Sequence, residues 1–366
     1  MQWLDQIHRW TGAIIGVLLA AMGLTGTLLI HEDAWLRATV PHAADPLARN
    51  ESTYGAALER LMAEPSRPAN IVFPSDTLGV YTVSFGEGAG AYADQSGAIV
   101  TRWESKWERL DVWLFDFHHH LFMGDTGTDA TGILALIGLG FVVTGVVLWW
   151  RTRREFKLRA LPASLSRPQI VRHHRDLGVV MAPLLVLQFL TGSMLVFRPI
   201  ADVLFTPFSP RGTITASLEQ PQAKGGPLAA SFDWRSMLHT VRETYPDAQL
   251  RGVSLPRREG QLIRVRVRQP GEWLPNGRTI FWFDPSDGRL VESRNALSLP
   301  LATRAYNLVY PLHASKVGGF IYKTVMTATG LTLTLLGLLA VYAFWGFRAR
   351  QKSLPLLRRR LEACDR

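Results

Sequence analysis

Ten histidines occur in the 366 residues, and eight of them stand at the ends of long apolar runs. His8 precedes the run at 11–30 and His31 ends it. His118, His119 and His120 precede a run at 131–150, His173 and His174 one at 177–197, and His313 one at 320–345. Only His42 and His239 lie well away from such a run. Neutral imidazole is a ligand for iron, zinc and copper, and two imidazoles from facing helices can grip one metal from both sides. A histidine at a membrane boundary also has a plainer role, as a polar end residue that prefers headgroups to lipid. Successive helical residues point about 100° apart, so His118, His119 and His120 cannot all serve one iron. Zinc or copper on that cluster is the alternative.

The apolar runs must position these groups. Each approaches or exceeds the roughly 20 residues needed to span a bilayer, and 47% of the chain is hydrophobic. The first and third runs also repeat one another. Residues 8–30 read HRWTGAIIGVLLAAMGLTGTLLI and residues 174–196 read HRDLGVVMAPLLVLQFLTGSMLV. Aligned, His8-Arg9 falls on His174-Arg175, Gly12 on Gly178, and Leu24-Thr25-Gly26 on Leu190-Thr191-Gly192. Two histidines at one depth in one bilayer follow, and His118 and His313 make a second pair by their matching places before spans 2 and 4. His31 falls on Phe197 in this alignment, which favours the plain role for it. From His8 to His31 a helix rises about 35 Å at 1.5 Å per residue, close to a hydrocarbon core of about 30 Å. The segments between the spans repeat as well. Residues 53–68 read as a helix followed by strands at 70–73, 79–85, 91–93 and 98–101. Residues 233–245 read as a helix followed by strands at 249–255, 262–268, 279–283 and 289–291.

The fold class that follows is an α+β membrane protein: a four-transmembrane-helix bundle from a parallel internal duplication, with two small α+β domains outside. Its expected divisions are transmembrane helix 1 at 1–32, an outer domain at 33–117, helix 2 at 118–152, a basic loop at 153–174, helix 3 at 175–198, a second outer domain at 199–312, helix 4 at 313–347 and a basic tail at 348–366. The first run is expected to stay as an anchor, because it exceeds the roughly 7–15 residues of a signal-peptide core. Arginine and lysine crowd the 151–175 loop and the tail. By the positive-inside rule both are cytoplasmic, and the outer domains lie in a bacterial periplasm. The net charge of +10 is thus a topology signal, and nucleic acid is not an expected partner.

Other chemistries are poorly supported. Cys364 is the one cysteine, so a disulfide, a Cys-ligated zinc or an iron–sulfur cluster cannot be built within one chain. There is no C-x-x-C-H, so any haem is b-type. Gly86-x-Gly88-x-Gly90 lacks the spacing of a dinucleotide loop and reads as a hairpin turn. The interiors of spans 1 and 2 carry no ionisable side chain, span 3 has only Gln188, and Lys323 lies near one end of span 4. A transporter would want ion ligands at mid-depth. The glycines along the spans either bring helices close or make room for a macrocycle.

Taken in order, His8-Arg9-x-x-Gly12, Leu24-Thr25-Gly26, His118-x-x-Leu121-Phe122-x-Gly124, His174-Arg175-x-x-Gly178, Leu190-Thr191-Gly192 and Leu312-His313 with Gly318-Gly319 resemble the PepSY-associated transmembrane family of bacterial inner-membrane proteins. The outer segments look like PepSY modules, with turns at Asp94/Ser96/Gly97 and Asp284/Asp287/Gly288. The resemblance implies a ferric-siderophore reductase holding two b haems in a four-helix frame, with His8, His174, His118 and His313 as the haem ligands. It implies a ferric siderophore as substrate and a quinol or a cytoplasmic reductase as electron donor. No side chain is then expected to act as nucleophile or general base. Arg251, Arg264, Arg266 and Arg268 could attract an anionic ligand or merely point to solvent at alternate strand positions. The competing readings are a membrane-anchored PepSY binding or regulatory module without redox activity, such as a peptidase inhibitor or uptake-complex subunit, and a permease.

Overall fold

The computed structural model describes residues 2–48, 51–159 and 161–346. The basic tail at 348–366 and Cys364 lie outside the described residues. In chain order the helices are α1 (Gln2–Ile30), α2 (Glu32–Thr39), α3 (Glu51–Met62), α4 (Leu110–His120), α5 (Gly124–Trp150), α6 (Arg167–Val196), α7 (Arg198–Phe205), α8 (Thr213–Ser217), α9 (Trp234–Thr244), α10 (Leu301–Tyr306), α11 (Val309–His313) and α12 (Gly319–Val341). The strands are β1 (Asn70–Val72), β2 (Tyr81–Gly86), β3 (Ala89–Ala93), β4 (Ile99–Trp103), β5 (Gln249–Ser254), β6 (Ile263–Arg268), β7 (Thr279–Phe283) and β8 (Leu290–Arg294). Among the described residues the chain divides into a helix unit (within 2–30, 117–196 and 318–346) and a sheet unit (within 31–116 and 197–317).

The helix unit holds α1, α5, α6 and α12, four helices long and apolar enough to cross a membrane. Lipid offers no partner to a backbone N–H or C=O, so spans of this composition satisfy their own hydrogen bonds as helices. Helix α6 begins at Arg167, so His173 and His174, expected in a basic loop, sit inside the helix. Arginine is a good helix former and Pro168 suits a first turn, so charge marks the membrane boundary without breaking the helix. The pair α1 and α12 lies closest. A Cβ on Gly23 would stand 2.7 Å from the Gly330 carbonyl, and one on Gly337 would stand 2.3 Å from that of Gly16. Glycines seven apart on each helix thus let two backbones touch, and Thr334 Oγ1 donates across the seam to the Ala20 carbonyl (3.1 Å).

The sheet unit is built on one antiparallel sheet of eight strands, ordered β4-β3-β2-β1-β5-β6-β7-β8. The segments read from sequence as two small domains contribute four strands each and join where β1 pairs with β5 (Ile71 opposite Val253). They share one core: Leu58 and Leu61 of α3 and Met237 and Val241 of α9 pack with Ile71, Val83, Val253, Val265, Phe281 and Phe283. Alternation makes this possible. In β6, Ile263, Val265 and Val267 are fully buried while the intervening arginines take the other face. Over the first half of that other face lies a smaller cluster of Leu36, Val40, Val80, Tyr92 and Trp103. Asp233 caps α9 by accepting from the Ser236 N–H (2.9 Å). The glycine-rich segment is the β2–β3 turn, with positive φ at Gly86, Glu87 and Gly88. The Asp94 carboxylate accepts from Ser96 and Ala98, and that of Asp284 from Ser286 and Gly226.

Candidate functional site

Within the helix unit, α1, α5, α6 and α12 enclose a cavity of about 970 Å³, at the upper end of the roughly 300–1,000 Å³ typical of small-molecule sites. His8 and His174 both line it. Each is followed one turn later by a glycine that also lines it, Gly12 and Gly178. Residues four apart share a helix face, so each glycine leaves open the space above its histidine. A Cβ on Gly178 would meet only Leu336 Cδ1 at 4.0 Å, and one on Gly12 only the Phe141 ring at 3.9 Å. The glycines of the spans therefore divide by role. Gly16, Gly23, Gly330 and Gly337 bring backbones together, Gly16 and Gly337 lining the cavity as well, and Gly12 and Gly178 keep the space beside the histidines open.

The two imidazoles face one another. Their centroids lie 6.4 Å apart and their planes cross at 82°. Two imidazoles bonded to one metal through nitrogen at about 2 Å, from opposite sides, bring their centroids to roughly 6 Å. The spacing would suit two imidazole nitrogens on one metal ion.

Hydrogen bonds select the tautomer of His8. Thr144 Oγ1 donates to the Gly140 carbonyl (2.8 Å), which commits its proton. Its oxygen, 2.8 Å from His8 Nδ1, can then only accept. With the Thr144 proton on that carbonyl, His8 would carry its own proton on Nδ1 and keep the Nε2 lone pair for a ligand. Phe141 braces the ring edge-on, with centroids 5.2 Å apart. The His174 ring meets the Leu336 backbone, and its buried Nδ1 has no hydrogen-bond partner. A buried polar atom without a partner is costly in a finished core. His173 is buried, does not line the cavity and has an unpartnered Nε2.

Cations stand on the same cavity wall: Arg9, Arg151, Arg167 and Arg175. Arg175 is committed, with Nε 2.7 Å from one oxygen of Asp176 and Nη2 3.1 Å from the other. Arg9 pairs with Asp5 (3.3 Å) on an exposed face.

The other predicted site residues are placed differently. His118 lies in the last turn of α4 and packs on α1, where a Cβ on Gly26 would stand 3.0 Å from its Cε1. Its Nδ1 is 3.0 Å from Thr25 Oγ1, whose proton goes to the Ala21 carbonyl (2.8 Å). The same assignment would put the His118 proton on Nδ1. His120 Nδ1 lies 2.8 Å from Thr128 Oγ1, and the His119 ring lies between, its centroid 5.6 Å from that of His118. Leu121 and Phe122 at positive φ turn the chain between α4 and α5. Among the described residues, no group of three His, Cys, Asp or Glu side chains is placed to hold a metal ion. His313 ends α11, in the sheet unit. Thr144 and the Leu336 carbonyl were not legible as site groups. The recurrence of Leu-Thr-Gly marked Thr25 but not what it would accept.

In the sheet unit, Lys316 Nζ pairs with Asp33 (2.7 Å) beside Glu32. Burial pushes the Glu32 carboxyl up to about 7, against the pull of Lys316.

A model of the PepSY-associated TM region matches residues 6–346. The chain belongs to that family. No curated protein matches the sequence. Family membership accounts for a membrane protein with PepSY-related segments and four apolar spans.

Proposed function

We propose that this chain is an inner-membrane b-type haem protein that moves electrons across the bilayer and reduces a ferric siderophore on the periplasmic side. The observation that carries this reading is the His8–His174 pair, its rings 6.4 Å apart in a cavity kept open by Gly12 and Gly178. The unpartnered Nδ1 of His174 adds to it, because a ligand bond would satisfy that atom.

Haem would supply one-electron chemistry at this position. His8 and His174 would hold its iron. Thr144 keeps the His8 proton on Nδ1 and the ring at a fixed angle. Phe141, Phe189, Leu185 and Leu336 line the cavity with apolar surface, which excludes water. Arg151 and Arg167 on its wall suit the two carboxylates that haem carries. The electron donor would be a quinol or a cytoplasmic reductase. One electron passed to the chelated Fe³⁺ gives Fe²⁺, which hard oxygen chelators hold far less tightly. A second haem on His118 and His313 stands on their matching places before spans 2 and 4 and on the family resemblance. The cytoplasmic placing of the chain ends and the periplasmic placing of the sheet unit stand on the arginine-rich 151–175 loop and tail.

The test is an absorption spectrum of detergent-purified protein, oxidised and then dithionite-reduced, with a haem-to-protein ratio. A six-coordinate b-type spectrum with near two haems per chain is expected, and His174→Ala should remove about one. A colourless protein after haem-replete expression would sink the proposal.

A further inference from the structure

The face of the sheet opposite the core carries arginines where the first half of the sheet carries a small apolar cluster. On β6, Arg264, Arg266 and Arg268 alternate with the buried core residues. Across from Arg264 lie Ser254 on β5 and Trp282 on β7; across from Arg266 lie Gly252 and Ile280. Directly opposed residues share a face, so these groups form one surface, and Gly252 offers no side chain to cover Arg266. The corresponding surface over β2, β3 and β4 is filled by Leu36, Val40, Tyr92 and Trp103.

This surface is rich in donors and short of acceptors. Arg264 spends one N–H on Ser254 Oγ (3.0 Å). Arg278, next to β7, spends its Nε on Asn307 Oδ1 (3.1 Å). Trp282 is 3% exposed, and its buried Nε1 has no partner. The nearby carboxylates are taken. Glu272 accepts from the backbone N–H groups of Gln269 and Arg278 and from Thr279 Oγ1, and Glu292 pairs with Arg294 (2.7 Å). Among the described residues, none of Arg264, Arg266 and Arg278 forms a salt bridge. They are half-buried, not extended into solvent. Burial, with Arg264 and Arg278 nearby, holds Arg266 down to about 10. Desolvated guanidinium groups are normally paired. Unpaired ones beside an orphaned indole N–H lack the same thing, a ligand with several anionic oxygens.

We propose that Arg264, Arg266, Arg278 and the Trp282 N–H form a binding site for a multiply anionic oxygen chelate of Fe³⁺, of the catecholate or carboxylate type, in preference to neutral hydroxamate chelates. The proposal rests on the siderophore reading above and names the substrate class. Arginine suits it because the planar fork meets carboxylate and catecholate oxygens bidentately.

The experiment uses the full chain in detergent and redox-inert gallium complexes, so that binding is measured without electron transfer. Calorimetry would compare the trianionic gallium tris-catecholate complex with a neutral gallium tris-hydroxamate complex. The trianion should bind about tenfold or more tightly than the neutral complex. Arg266→Met should lose about tenfold or more of that affinity, as expected for one charge-assisted hydrogen-bonding group, with neutral binding unchanged. Thermal melts guard against misfolding. Arg266→Met should melt at or above the wild-type temperature without ligand, because it removes an unpaired buried charge, and the trianion should raise the melting temperature of wild type more than that of Arg266→Met. Equal binding of the two complexes, no binding of the trianion, or full retention by Arg266→Met overturns the site. A haem spectrum on the same sample keeps the two readings apart: haem present without trianion binding defeats this site only, and trianion binding by colourless protein defeats the electron-transfer reading only.

Discussion

Replacing Thr144 by valine tests the cavity reading at a residue that touches neither substrate nor iron. Valine nearly matches threonine in volume, so the substitution leaves little cavity and isolates the hydroxyl. In the wild type, the Thr144 proton is committed to the Gly140 carbonyl (2.8 Å) and the oxygen accepts from His8 Nδ1–H (2.8 Å). Thr144→Val leaves that N–H unpaired in a mostly apolar wall, a cost of about 1–3 kcal/mol. Loss of such an orienting partner typically weakens metal binding about 10–100-fold, or roughly 1.4–2.8 kcal/mol. The sign of a second effect also follows. An acceptor on Nδ1–H makes the imidazole a stronger donor to iron and favours Fe³⁺, so its removal should raise the midpoint potential of a haem held by His8 and His174. The assay is haem titration into apoprotein with a spectroelectrochemical midpoint. Thr144→Ser, which restores the hydroxyl, should recover both values. Wild-type affinity and potential in Thr144→Val would refute the assignment of Thr144 as the group that orients His8.

Glycines of the same bundle should fail in two different ways. Gly178→Leu should leave the apoprotein folded, because a Cβ there has only Leu336 Cδ1 at 4.0 Å, while lowering the haem-to-protein ratio by about one. Gly337→Val should instead disrupt the α1–α12 seam, where a Cβ would stand 2.3 Å from the Gly16 carbonyl; size-exclusion profiles and melting curves of the two apoproteins should separate these outcomes. Glu32 sets a pH dependence. With its carboxyl raised from 4.5 to about 7 in the fold, the unfolded chain ionises first, so this group's contribution is fully present below about 4.5 and is lost as pH rises through about 7. Melts between those limits should lose stability with rising pH, and Glu32→Gln should flatten that slope.

The sequence-level reading reached most of the secondary structure because the strands alternate and the spans are long. The eight strand positions were legible to within about two residues, since Ile263-Arg264-Val265-Arg266-Val267-Arg268 admits one face to a core and the other not. The joining of the two halves into one sheet was not legible. It depends on the pairing of β1, only three residues long, with β5, and three residues carry too little pattern to name a partner. The start of α6 was placed too late, at 175 where the helix begins at Arg167, because hydropathy marks where lipid begins and not where the helix does. Solvent exposure was one expected role for Arg264 and Arg266, and the structure corrects it: both are half-buried, which alternation alone cannot show.

The repeat located His8 and His174 but concealed a difference between them. Symmetry in sequence predicts like surroundings, yet the groups that touch the rings come from α5 and α12, which carry no such close repeat. On α5 a threonine whose proton is already spent holds His8 by Nδ1; on α12 the Leu336 backbone meets His174, and its Nδ1 is left without a partner. A hydroxyl can be removed by one substitution, whereas a backbone carbonyl cannot. The two ligands of one centre would therefore differ in basicity and in tolerance to mutation. His8 is set by a side chain that selection can change, and His174 by the helix backbone itself. In such an arrangement the potential of the centre can be retuned at Thr144 without altering either ligand or the glycine-lined space between them.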